Sequence, residues 1–96
     1  MKSLTFGAYI KEVRMSKNIP QRKVAHHLDI DTSTLSKIEL GQRQLNLNMI
    51  KKLSEILELD YKKLQVKFIT ENITTEYHGQ PYLKQALNRV IKKIKK

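Results

Sequence analysis

Cysteine and tryptophan are absent from the 96 residues of this chain. Without cysteine there is no disulfide scaffold, no thiolate metal site and no cysteine nucleophile. The absence suits a reducing cytosol, and a cytoplasmic location is expected. Only three glycines and two prolines punctuate the sequence, and no sustained period-two alternation supports strands. No apolar run approaches the ~18 residues that a bilayer-spanning helix needs. The opening MKSLTFGAYIKEVR is not expected to act as a signal peptide, because Glu12 and Arg14 interrupt any apolar region. Acidic residues are scarce too: 9 Asp and Glu stand against 19 Lys and Arg, a net charge of +10. Such a surplus favours a polyanionic partner, namely DNA, RNA or an anionic membrane surface. The surplus is uneven. Residues 1–60 hold 10 basic and 7 acidic side chains and residues 61–96 hold 9 and 2, so the net charges are +3 and +7. Ninety-six residues make one domain with a short appendage. A chain of this size buries only about 60–65% of its unfolded surface. The large α/β enzyme folds, which need roughly 200 residues or more, are excluded. The 40% hydrophobic content is enough for a globular core and too high for a disordered chain.

What is present recurs at intervals of three and four, the helical period. A first segment over 5–17 places Phe6, Ile10 and Val13 on one stripe with Tyr9 beside it. Thr5 or Ser3 is its candidate cap and Asn18 its stop. A second opens at Pro20, buries Val24, Ala25 and Leu28, and turns at Asp29. A third follows Asp31, a good N-cap, with Leu35, Ile38 and Glu39 facing one way and Ser33, Ser36, Lys37 and Leu40 the other; Gly41 closes it. After the loop 42–46, Leu47, Ile50, Leu53, Ile56 and Leu57 form a fourth apolar stripe with Asn46 as cap. A fifth begins at Asp60 and keeps helical spacing through Leu64, Phe68, Ile69, Ile73 and Tyr77 to Gly79. The Thr-rich stretch 70–75 weakens it, and a helix ending near Thr70 is the alternative. A sixth opens at Pro81, with Leu83, Leu87, Val90 and Ile94 on one face and Lys84, Arg89, Lys92, Lys93, Lys95 and Lys96 on the other.

Segments two and three carry the functional signal. A helix of about eight residues, a turn of about three or four and a second helix with a polar outer face make a helix-turn-helix. Two helices crossing closely need a small residue between them, which Ala25 supplies. The turn needs tolerance of positive φ and an apolar plug, which Asp29 and Ile30 supply. The second helix then turns Leu35 and Ile38 inward and Thr32, Ser33, Ser36 and Lys37 outward.

These residues resemble the lambda-repressor-like, or Xre/Cro-type, helix-turn-helix family. The resemblance rests on Ile19-Pro20-Gln21-x-x-Val24-Ala25-x-x-Leu28-x-Ile30-Asp31, then Thr34-Leu35-Ser36-x-Ile38-Glu39-x-Gly41-x-Arg43. Leu53, Ile56, Leu57 and Leu59 complete the usual fourth-helix pattern. It covers about 60 of the 96 residues, and its spacing is far more specific than generic amphipathicity. Two positions depart from the family: Asp29 stands where Gly is usual, and Pro20 where Ser or Thr often caps the helix. The implied fold is all-α: a compact five-helix helix-turn-helix domain over 1–65. A helical C-terminal extension over 66–96 includes an additional amphipathic helix. The implied site has Thr32, Ser33, Ser36 and Lys37 facing bases and Gln21, Arg43, Gln44 and Asn46 on phosphates. Arg14 and Glu39 are implied as an internal ion pair between the first and third helices.

The function these features imply is a sequence-specific transcriptional regulator, without catalytic chemistry, cofactor or metal. It would bind a palindromic operator in double-stranded DNA as a homodimer, with recognition helices about 34 Å apart. A phage-type repressor, a restriction–modification controller and an antitoxin all suit this size, and a toxin or polymerase is the protein partner such settings imply. Leu83, Leu87, Val90 and Ile94 are the candidate dimer interface. An intramolecular cover over the core and a membrane-surface helix are the alternatives for that stripe. The membrane is disfavoured because Tyr82 is the only aromatic residue there. His26, His27 and His78 suggest no metal site, since adjacent helical residues point about 100° apart. No effector pocket is expected from so small a core. The rival reading is a protein-interaction adaptor with only nonspecific DNA binding.

Overall fold

The computed structural model of the protein describes residues 5–95; Ser3, the alternative first cap, lies outside them. Local chemistry sets several of the helix boundaries. Thr5 Oγ1 accepts the Ala8 N–H at 3.1 Å and starts α1 (Phe6–Ser16). The helix ends as the chain turns through Asn18 at φ 57°. Pro20 precedes α2 (Gln21–Leu28) in extended conformation, at the cap position rather than in the first turn, and offers no side-chain cap. Asp31 and Asp60 cap α3 (Thr32–Glu39) and α5 (Tyr61–Glu76) by accepting from Thr34 N at 2.8 Å and Lys63 N at 3.1 Å. α5 runs unbroken through the Thr-rich stretch, and Gly79, at φ 80°, lies in the turn beyond it. α6 (Leu83–Ile94) ends the described chain. No strand occurs among the described residues.

The fourth segment differs from its expected form. The chain enters it through a 3-10 turn at Leu47–Met49, for which Asn46 Oδ1 accepts the Asn48 N–H, and only then forms α4 (Ile50–Leu57). Leu47, expected on the apolar stripe, is 48% exposed. Leu45 of the preceding loop is buried in the core instead, 5% exposed.

Around Ile10, Leu35, Ile50, Leu53 and Leu57, all fully buried, α1 packs on α3, α2 on α3 and α4, and α4 on α5. Lys17 of the α1 cap also fastens α4, donating from Nζ to the Leu57 carbonyl at 2.6 Å and the Glu58 carbonyl at 3.2 Å. A cation on the last carbonyls of a helix opposes the negative end of its dipole. Phe6 meets Phe68 edge-on at 5.1 Å between ring centroids, and Lys67 Nζ lies 4.7 Å from the Tyr9 ring centroid. Phe68 is the last buried apolar residue. Beyond it the alternative of an intramolecular cover is not met by the C-terminal part of α6: Leu83 and Leu87 are half-buried, but Val90, Ile91 and Ile94 are 49, 56 and 70% exposed.

Candidate nucleic-acid interface

α2 and α3 meet through a turn whose geometry follows from one residue. Asp29 takes the left-handed conformation, φ 62° and ψ 41°. That reversal lets Asp29 N donate to the His26 carbonyl and Ile30 N to the Ala25 carbonyl, which closes the helix end. Aspartate tolerates this region better than most side chains do. Ala25, buried between the helices, lets them approach.

A polar chain then locks α3 at its angle. Arg14 Nε donates to Glu39 Oε2 at 2.7 Å and Arg14 Nη2 to Glu39 Oε1 at 3.1 Å, a buried two-bond pair. The third guanidinium nitrogen, Nη1, donates to the Ile19 carbonyl just before α2. Gln21 Nε2 lies 3.0 Å from Glu39 Oε1 and 3.1 Å from Ser36 Oγ. One chain of hydrogen bonds thus joins α1, α2 and α3, and no buried side-chain polar atom is left without a partner among the described residues. The Gln21 amide and the half-buried Ser36 hydroxyl are therefore turned toward each other.

The outer face of α3 remains open. Thr32, Ser33 and Lys37 are exposed, and Lys37 makes no ion pair among the described residues. Ser33 Oγ donates to Asp31 Oδ1 at 3.2 Å, which leaves its acceptor capacity unused by that bond. Hydrogen bonds from Thr34 first, then from Ser33, hold the Asp31 carboxyl below the usual carboxylate range; Lys37 acts in the same direction. The cap of α3 is accordingly ionised at neutral pH.

The loop after α3 stays tied to it, since Gln42 N donates to the Lys37 carbonyl at 2.8 Å. Arg43 projects from that loop, exposed. Gln44 turns away: its Nε2 lies 2.6 Å from Asn72 Oδ1 on α5. Asn46 spends its oxygen on the 3-10 turn. A groove of about 320 Å³, which the small core did not lead one to expect, opens between Phe6, Ile38, this loop and the Phe68–Glu76 side of α5.

One element escaped the sequence reading. α2 begins with no acidic residue and no side-chain cap, so the Gln21 and Arg22 N–H groups have no acceptor among the described residues, and the exposed Arg22 side chain sits beside them. Open N–H groups at the positive end of a helix attract anions. The loss of a capping hydroxyl at Pro20 was the available signal. The histidines converge on nothing: His27 lies 3.2 Å from Glu55, and no cluster of three metal-ligating side chains occurs among the described residues. No helix among the described residues is long and apolar enough to cross a membrane.

A family model described as helix-turn-helix matches residues 10–64. The chain is 37% identical over 62 residues to the control protein C.BamHI of Bacillus amyloliquefaciens, across 64% of this chain and 76% of that protein. No solved structure matches.

Proposed function

The chain belongs to the helix-turn-helix family, of lambda-repressor-like type, and is a DNA-binding transcriptional regulator; from that premise we propose that it reads a palindromic operator as a homodimer. The observation that carries the reading is the contrast on α3. Its inner face is locked by Leu35, Ile38 and Glu39, while Thr32, Ser33 and Lys37 are exposed. Eight helical residues span ~12 Å, and the major groove is about 12 Å wide. Lys37 is suited to donate to guanine O6 and N7, the Ser and Thr hydroxyls to meet either base type, and the Thr methyl to meet the thymine methyl. Ser36 serves through Gln21, as the brace that sets the depth of α3. Arg43, Arg22 and the open α2 N-terminus clamp phosphates on either side, with Gln44 and Asn46 shaping the loop that presents Arg43. Bound near a promoter, the protein blocks or recruits polymerase. Similarity to a control protein favours, among the three settings, the controller of a restriction–modification operon.

Selection of bound sites from random duplexes tests the reading. An enriched inverted repeat is expected; no enriched sequence would favour the adaptor. With that site in hand, Lys37→Ala should cost about 1–3 kcal/mol at one or two base pairs and leave the others unchanged. Arg43→Ala should weaken every site alike and lower the salt slope by about 0.9. Equal, flat effects of both changes would remove the division between readers and clamps.

For the dimer, the stripe of α6 supports Leu83, Leu87, Val90 and Ile94 as the seam: Val90 and Ile94 are exposed and Leu83 and Leu87 only half-buried, and such an apolar helix face is stabilised by burial against a second one. Leu87→Asp with Ile94→Asp should then sediment as a monomer. A dimer that survives both changes places the seam elsewhere.

A further inference from the structure

We propose that the basic face of α6 is a second phosphate-binding surface, laid along the duplex backbone that flanks the α3 half-site. The proposal rests on the operator reading above. After Glu76 the chain contains no acidic residue and six basic ones: Lys84, Arg89, Lys92, Lys93, Lys95 and Lys96. At about 100° per residue, Lys84, Arg89, Lys92 and Lys93 fall within one half of the circumference of α6. Leu83, Leu87, Val90, Ile91 and Ile94 fall within the other. A second copy seated on the apolar half leaves the basic half outward. No ion pair among the described residues involves α6, so its cations are not neutralised from within.

Position supports DNA as the occupant. The C-terminal half of α5 is tied to the phosphate-facing loop: Gln44 is bonded to Asn72 at 2.6 Å, and Arg43 and Gln44 line the same groove as Thr75 and Glu76. From there the chain passes through two tight turns, with Gln80 N donating to the Tyr77 carbonyl and Leu83 N to the Gln80 carbonyl. α6 therefore starts seven residues after Glu76, which lines the same groove as Arg43. Twelve helical residues extend for ~18 Å, enough to follow several phosphates spaced 3.4 Å apart along the axis on one strand. The basic half does not suit a second α6, since two such faces repel. The acids nearest in sequence, Glu71 and Glu76, lie on α5, and Glu71 is already paired with Lys67 at 3.0 Å.

The test is a variant of the full chain carrying Lys84→Gln, Arg89→Gln, Lys92→Gln and Lys93→Gln, changes that keep helix propensity. Its affinity is measured against salt on a long duplex containing the selected site and on one trimmed to that site. On the long duplex the slope of log K against log salt should fall by about 2–4, with base preference unaltered. On the trimmed duplex variant and parent should bind alike, and sedimentation should show the same dimer. An unchanged slope on the long duplex overturns the proposal, as does an equal loss on both duplexes or conversion to monomer. Binding of the parent to anionic vesicles, lost in the variant while the DNA slope stays unchanged, would assign the face to a lipid surface and overturn it too. The operator reading is judged separately, by Lys37→Ala in the same assay.

Discussion

Replacing Glu39 with alanine should cost about 3–5 kcal/mol, because it strands the buried charge of Arg14. Nε and Nη2 of Arg14 both lose their acceptor, and only the Ile19 carbonyl remains to Nη1. Gln21 loses one of its two partners as well. For a domain of this size each kcal/mol lowers Tm by roughly 4–8 °C, so thermal unfolding should fall by at least about 12 °C. The total stability of such a domain is only about 5–15 kcal/mol, which leaves the variant close to unfolding. The pair itself adds little net stability, since two charges had to leave water. Arg14→Met with Glu39→Leu should therefore recover most of the loss while leaving Gln21 attached to α3 through Ser36 alone. A single-variant loss below about 1 kcal/mol would mean that the pair behaves as a hydrated surface bridge.

Gly7→Ala should destabilise the fold even though the same change in an open helix gains about 1 kcal/mol. A Cβ on Gly7 would overlap the Ile38 carbonyl oxygen, and would lie 3.0 Å from the Ile38 carbonyl carbon and 3.2 Å from Glu39 Cα. These are backbone atoms of α3, so no rotamer change makes room. Either α1 moves away from α3 or α3 shifts, and overpacking of this kind typically costs about 1–3 kcal/mol, occasionally more. The urea midpoint should fall, and operator affinity should fall with it, because the displaced α3 carries Thr32, Ser33 and Lys37. A variant more stable than the parent would show that the two helices separate freely.

The parts of this structure legible in the sequence are those decided within a few residues. Thr5, Asp31, Asn46 and Asp60 act as caps because each accepts from an N–H two or three residues ahead. Asp29 reverses the chain because few other side chains tolerate its conformation. The periodicity of Val24, Ala25, Leu28, Leu35 and Ile38 identified the faces that meet. The exchange of Leu45 for Leu47 was illegible, since periodicity does not reveal where a 3-10 turn shifts the register.

Which polar groups stay free for a ligand was decided by tertiary structure alone. Gln21 is held by Ser36 and Glu39, 15 and 18 residues away, Glu39 by Arg14 at a separation of 25, and Gln44 by Asn72 at 28. Chain composition carries no record of such distant partners. Each pairing fixes a side chain's orientation and occupies part of its hydrogen-bonding capacity, while Thr32, Lys37, Arg22 and Arg43 stay exposed with no side-chain hydrogen bond among the described residues. The sequence by itself determined the helices and the turn between α2 and α3, because their causes are local. The packing of α1 against that pair, and the tie from α5 to the loop after α3, determined which side chains were available, because availability depends on contacts that only the folded chain brings together.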